Sequence, residues 1–173
     1  MIELILGGAR SGKSRFAEQR ALDSGSECIY IATAQAGDGE MAARIQLHRE
    51  QRSGFAQTIE EPLALAQIIA DAMHDSRCLL VDCLTLWLTN LLLAENAATF
   101  ADERAQLFDV LSRARGRIIF VSNEVGQGVV PMDALSRRFV DDSGRLHQAI
   151  AQIADRVFFV TAGLPQLLKG AVQ

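Results

Sequence analysis

The residues best equipped for chemistry lie near the start of the chain. Gly7-Gly8-Ala9-Arg10-Ser11-Gly12-Lys13-Ser14 fits G-x-x-x-x-G-K-[ST], a loop that holds nucleotide phosphates. Gly7 and Gly12 let the backbone turn and come close to phosphate oxygens. Successive N–H groups then point inward as an anion nest at the start of a helix. Lys13 is placed to bridge the β- and γ-phosphates and Ser14 to ligate Mg²⁺. A strand-like run precedes the loop and a helical pattern follows it, as the motif requires. A phosphate held there has three uses: to drive a motion, to be moved onto a substrate, or to leave as part of a nucleotide transfer.

Further along, Asp82 closes the apolar run CLLVD. An acid at the end of a strand beside the phosphate-loop strand is a usual second anchor for Mg²⁺. It could equally cap a helix beginning near Leu84. The stretch EMAARIQLHREQR (40–52) reads as a helix, with Arg44, His48 and Arg52 spaced i, i+4, i+8 on one stripe. Two flanking positive charges disfavour protonation of His48, and a neutral imidazole can act as a nucleophile. The arginines could hold phosphate oxygens. Spacing alone leaves open the plainer reading, a solvated basic helix face. Glu60 and Glu61 precede Pro62, which marks either a helix start or a ligand position. SNEVGQGVVP, with Asn123, Glu124 and two glycines, reads as a shaped binding loop or a helix cap. His74 is expected to be solvated and His147 to be packed or on the surface.

These groups need a scaffold. The short apolar runs 2–6, 28–32, 78–81, 117–122 and 156–161 are rich in Ile, Val, Leu and Phe, as strands buried on both faces of a parallel sheet are. Helical patterns lie between them at 13–24, 40–52, 62–75, 84–95, 100–115 and 133–155, the last with an expected break near Gly144. Trp87, Leu88, Leu91 and Leu92 fit a buried helix face. Repeated strand–helix units predict a three-layer α/β sandwich with right-handed crossovers. In such sheets ligands sit at the carboxyl ends of the strands, where the glycine-rich segments fall. Residues 1–173 show no repeat and no linker, so a single domain is expected.

Composition narrows the function classes. Hydrophobic residues make up 49% and charged residues 22% of the 173, with a net charge of −4. These are ordinary values for a soluble globular protein, and with no Lys/Arg cluster a nucleic-acid surface is not expected. No stretch is long and apolar enough to span a membrane. The N-terminal run is too short for a signal peptide, and the three cysteines (Cys28, Cys78, Cys83) lack a C-x-x-C. Cys28 and Cys78 are read as small buried residues on strands, and the expected location is a reducing cytoplasm.

Taken together, GGARSGKSRFAE, YIATAQ, D-x-E-M-x-x-R-I-x-x-H-x-x-x-R, T-x-E-x-P, VDCLTLWLTNLL, SNEVGQGVVP, R-x-F-x-D-x-x-G at 137–144 and AGLPQLLKG run nearly end to end. The chain resembles the bifunctional adenosylcobinamide kinase / adenosylcobinamide-phosphate guanylyltransferase family of cobalamin biosynthesis. The resemblance implies a RecA-like P-loop nucleotide-binding domain. It implies that His48 becomes guanylylated and that Gly7 to Ser14 contact nucleotide phosphates. It also places Ala32, Thr33 and Ala34, the run Arg49, Glu50, Gln51 and Arg52, and then Glu60 and Asp82 along the nucleotide. Ser14 and Asp82 would hold Mg²⁺. Two departures stand out: Arg52-Ser53 and Phe55 where relatives often show Arg-Pro and Trp, and His147 where they often carry Asn. Neither removes a charged or nucleophilic group.

Two reactions follow from the resemblance. The hydroxyl of the aminopropanol arm of adenosylcobinamide takes the γ-phosphate of ATP or GTP, with Lys13 neutralising charge. His48 then attacks the α-phosphate of GTP, and the substrate phosphate takes the GMP to give adenosylcobinamide-GDP. A homo-oligomer is expected, a trimer being the form the resemblance suggests. Two other readings use the same loop. A monofunctional P-loop small-molecule kinase would need Lys13 but not His48. A nucleotide-dependent switch or ATPase would hydrolyse nucleotide without transferring it.

Overall fold

The fold is described from a computed structural model, which covers residues 1–34, 54–94 and 97–171. The strands are β1 (Ile2–Gly7), β2 (Glu27–Ala32), β3 (Gln57–Glu60), β4 (Arg77–Asp82), β5 (Arg117–Asn123), β6 (Arg156–Thr161) and β7 (Leu164–Lys169). The helices are α1 (Lys13–Leu22), α2 (Leu65–Ala72), α3 (Leu84–Leu93), α4 (Ala97–Ser112) and α5 (Ala134–Ile153). One sheet runs β3-β2-β4-β5-β1-β6-β7, parallel throughout except for the antiparallel β6–β7 pair.

The five apolar runs form the five central strands because a layer covers each face. Leu4, Ile29, Leu79, Ile118 and Phe120 pack against α2 to α5 through Leu65, Ile69, Trp87, Leu107, Leu146 and Ile150. Ile5, Tyr30, Leu80, Ile119 and Val121 face the other way, onto Ala17 and Ala21 of α1. With apolar layers on both sides the sheet is buried, as parallel sheets require. The result is the expected three-layer sandwich.

Several expectations need correcting. β3 and β7 were not expected as strands; both are edge strands whose residues are mostly exposed, so they lack an apolar run. α5 runs unbroken through Gly144, since a helix tolerates a single glycine at a modest cost. Pro62 is not a first helical residue: α2 begins only at Leu65, and Glu60 ends β3 instead. The Glu61 carboxylate accepts from the N–H groups of Leu63 and Ala64 at 2.8 and 2.9 Å, shaping the turn before the helix. Trp87, Leu88 and Leu91 are buried as expected, but Leu92 is only half-buried. The strand carrying Asp82 is not beside β1, because β5 lies between them. The expected helix at 40–52 lies outside the described residues, apart from which the helix limits fall within three residues of expectation.

Candidate functional site

Gly7, Ala32, Glu60, Asp82, Asn123 and Thr161 end six parallel strands at one edge of the sheet. Ala32 pairs with Glu60 on one side and Asp82 on the other, and Gly7 pairs with Asn123 and Val160. The polar groups therefore form a row along the carboxyl edge, where α/β sheets bind ligands.

The phosphate loop springs from this row. A Cβ on Gly7 would lie 2.5 Å from both Ser11 Oγ and the Val160 carbonyl oxygen, so only glycine lets β1 enter the loop against β6. Arg10 (φ 56°) and Gly12 (φ 93°) adopt the left-handed conformation, which alternates with right-handed residues to turn N–H groups inward. The Gly163 N–H donates to the Ser11 carbonyl at 2.7 Å, so the β6–β7 turn braces the loop from outside.

Lys13 opens α1 and is largely buried, with Nζ donating to the Gly8 carbonyl at 3.1 Å. Burial pulls its pKa below the ordinary value, while Cys83 and Asp82 oppose the shift. Its ammonium thus sits inside the loop, within electrostatic reach of the β4 terminus. A cavity of about 510 Å³ opens over Ala9 to Arg15 and is closed on one side by Asn123.

The end of β4 is fixed by a hydrogen-bonded knot. Thr33 Oγ1 donates to the Cys83 carbonyl at 2.8 Å and accepts from the Cys83 N–H at 2.9 Å. Asn90 Nδ2 reaches the Thr33 carbonyl at 2.8 Å, and Asn123 Nδ2 reaches Thr85 Oγ1 at 3.0 Å. Tyr30 donates its hydroxyl to Asp82 Oδ2 at 2.8 Å, which aims the carboxylate. Asp82 makes no helix cap: Cys83 holds the cap position of α3, and its side chain caps no helix N–H group. Burial, chiefly, raises the pKa of the Cys83 thiol, and burial pushes that of Cys78 up to about 12. Both thiols stay protonated, as expected of small buried residues.

The donors present suit Mg²⁺. Among the described residues no three His, Cys, Asp or Glu side chains cluster as a dedicated metal cage. Mg²⁺ does not need one, since it keeps several waters and binds through one or two protein oxygens plus substrate phosphates. Ser14, lining the cavity, and Asp82, aimed by Tyr30, are oxygen donors of that kind.

The structure thus brings together Gly7 to Ser14, Ala32, Thr33, Ala34, Glu60 and Asp82 along one edge. Thr33 is fully buried and spends its hydroxyl on Cys83, so its part is to hold β2 and β4 in register. His48, Arg49, Glu50, Gln51 and Arg52, with Arg44, lie outside the described residues. Sequence reasoning missed Tyr30 and Thr85 as supports of this edge; both sit in apolar runs, where the pattern marks them only as core. His147 is buried, with Nε2 2.6 Å from Ser122 Oγ and Nδ1 3.9 Å from Glu124 Oε2. Burial lowers its pKa and Glu124 opposes the shift, so the ring is a neutral, packed histidine as expected.

Comparison with known proteins agrees with this geometry. The chain is 59% identical over 170 residues to the bifunctional adenosylcobalamin biosynthesis protein CobP of Pseudomonas aeruginosa, covering 98% of each. It is 37% identical to the bifunctional adenosylcobalamin biosynthesis protein CobU of Escherichia coli K12, covering 98% of this chain and 100% of the relative. Among solved structures, the flagellar accessory protein FlaH of Methanocaldococcus jannaschii superposes with a TM-score of 0.55 at 14% identity, covering 99% of this chain and 81% of that one. The RadB recombinase superposes with a TM-score of 0.51 at 13% identity, covering 91% and 73%. These two likenesses speak to the fold alone. A family profile described as cobinamide kinase / cobinamide phosphate guanyltransferase matches residues 3–168, and the chain belongs to that family.

Proposed function

We propose that this chain phosphorylates adenosylcobinamide with ATP or GTP, then transfers GMP from GTP to the new phosphate, giving adenosylcobinamide-GDP. The observation that carries the reading is the pairing of a formed phosphate loop, with Lys13 buried inside it, and the Asp82 terminus within its electrostatic reach. Family membership supplies the substrates.

In the first step the loop N–H groups and Lys13 hold the β- and γ-phosphates, so that charge moving onto the β–γ bridging oxygen meets fixed positive groups. Ser14 and Asp82 would hold Mg²⁺, which supplies further charge neutralisation when bound. In the second step His48 attacks the α-phosphorus of GTP, the α–β bond breaks, and pyrophosphate leaves with the bond's electron pair. The phosphoramidate on His48 is then attacked by a phosphate oxygen of the corrinoid, which restores the free imidazole. Splitting one displacement into two makes the second activity ping-pong. Ala32, Thr33, Ala34, Glu60 and the run Arg49 to Arg52 line the nucleotide in this reading. The working form is a homo-oligomer, a trimer, in the cytoplasm.

The test is covalent labelling. The protein is incubated with Mg²⁺ and GTP carrying radioactive phosphorus at either the α or the γ position, then denatured and run on a gel. The expected outcome is acid-labile, base-stable label from the α position only, lost in His48→Ala. Absence of label from both would remove the guanylyltransferase half. An assay for phosphorylated cobinamide would then separate a kinase from a switch.

A further inference from the structure

A second hollow, of about 410 Å³, opens on the other flank of the phosphate loop. Gly8, Ala9, Arg10 and Ser11 form one wall; Phe159, Val160, Thr161 and Ala162 of β6 and its turn form another; Glu124 and Gln127 close it. It shares Ala9, Arg10 and Ser11 with the cavity over the loop, so molecules in the two spaces meet at the same phosphate-binding backbone. Ser11 Oγ, in that shared wall, is buried and makes no hydrogen bond to the described residues.

Glu124 is held there by two hydrogen bonds and faces a buried histidine. Its N–H donates to the Gly7 carbonyl at 3.0 Å, which ties it to the strand that opens the loop. Its Oε1 accepts from the Gly126 N–H at 2.6 Å. Its Oε2 faces His147 Nδ1 at 3.9 Å, and His147 Nε2 is in turn 2.6 Å from Ser122 Oγ. A neutral imidazole with its proton on Nδ1 accepts from the Ser122 hydroxyl at Nε2 and presents that proton to Glu124. The carboxylate is therefore oriented, and it is the acid that lines this hollow.

We propose that the hollow between the phosphate loop and β6 receives the hydroxyl-bearing arm of the kinase acceptor, with Glu124 taking the hydroxyl proton. The inference rests on the kinase reading above. In that reading the loop N–H groups hold the β- and γ-phosphates, and the loop's Ala9, Arg10 and Ser11 also wall this hollow. The lining mixes Phe159 and Val160 with Glu124, Gln127 and Thr161, which suits an aliphatic arm carrying a hydroxyl. The volume admits an arm and leaves a corrin ring outside. In the step, the acceptor O–H gives its proton to the Glu124 carboxylate and its oxygen bonds to the γ-phosphorus. The bond from that phosphorus to the β–γ bridging oxygen breaks, and the nucleoside diphosphate leaves with the electron pair.

Two variants test this on the full-length protein with adenosylcobinamide as acceptor. Glu124→Gln keeps the size and the hydrogen bond from Gly126 but cannot take a proton. Its kcat for phosphoryl transfer is expected to fall about 100-fold or more, with nucleotide Kd, read by a fluorescent GTP analogue, within about twofold. Thr161→Trp, at an exposed strand end, fills the hollow and is expected to raise KM for the acceptor about tenfold while leaving nucleotide Kd unchanged. A Thr161→Trp protein that loses nucleotide affinity instead would make the hollow a nucleotide-base pocket and overturn the proposal. So would a Glu124→Gln protein with kcat within about threefold of wild type. Wild type that makes no phosphorylated acceptor would fail the kinase reading itself, a result distinct from either.

Discussion

Glu3 shows how strongly one residue can bind the fold to its conditions. It is the second residue of β1, with no exposure, among apolar neighbours. Arg20 makes two bonds to it, at 2.7 and 2.9 Å; Arg117 reaches it at 2.7 Å and Arg156 at 3.7 Å. Burial alone would raise its pKa, but the hydrogen bond from Arg20 and the charges of Arg117 and Arg20 outweigh it and hold the carboxyl below 4.5. A depressed folded-state pKa contributes stability that is complete above the unfolded value and is lost as pH falls through the folded one. Urea midpoints are therefore expected to hold near neutrality and drop as the pH falls below about 4.5. Glu3→Gln leaves three arginines around an uncharged amide. At neutral pH it is expected to cost about 3 kcal/mol, the low end for a broken buried pair, because the arginines keep 12 to 21% exposure. The variant should also lose part of the acid slope; an unchanged slope would assign it to other carboxylates. The run IELIL displays this acid openly. What it could not display is which arginines, 17, 114 and 153 positions away, would surround it.

At the scale of elements, Gly144 gives a sharp case. It lies inside α5, and a Cβ built there meets nothing within 4 Å. Gly144→Ala is expected to stabilise by about 0.5–1 kcal/mol, because alanine loses less backbone freedom on folding. Chemical denaturation should show the midpoint rise with an unchanged slope. A fall would mean that another surface closes on this side of the helix. The same helix marks the limits of reading elements from sequence. Glycine was expected to break it, yet Leu146 and Ile150, four residues apart just beyond it, pack into the core and outweigh the local preference. The five central strands were legible because burial on both faces forces continuous apolarity. β3 and β7 were not, since QTIE and LPQLLK lie at the sheet's edges and carry no such constraint. The phosphate loop was legible because its chemistry is that of backbone and glycine, which sequence records directly. Asp82 was legible as a strand-end acid, but its aim by Tyr30 and the interposed β5 depend on the order of strands, which sequence spacing does not encode. The role read for His48 rests on the motif around it, since its spacing from the arginines left the solvated reading open and it lies outside the described residues.

For the whole molecule, the segment between β5 and α5 carries a consequence for assembly. Val129 and Met132 are each 96% exposed, Val130 is 71%, and Leu135 and Leu93 are 51% and 66%. A groove lined by Leu92, Leu93, Leu135 and Phe139 adjoins them. An isolated exposed apolar side chain is ordinary, but several in one region mark a surface that is covered in use. The sequence marks this stretch as a shaped binding loop or a helix cap; the outward turn of its apolar side chains is seen only in the fold. A homo-oligomer would cover it with a second copy, and the active edge lies at the near end of the same segment, at Asn123 and Glu124. Light scattering on the purified protein is expected to give a multiple of 18.8 kDa, three chains in the trimeric reading. The double variant Val129→Asp, Met132→Asp puts unpaired carboxylates into that contact and should shift the mass towards a single chain. Because both side chains are exposed and support no core, the fold should survive, with far-ultraviolet circular dichroism unchanged. A wild-type protein that runs as one chain would leave the patch to a different partner; a variant that stays assembled would move the subunit contact elsewhere on the molecule.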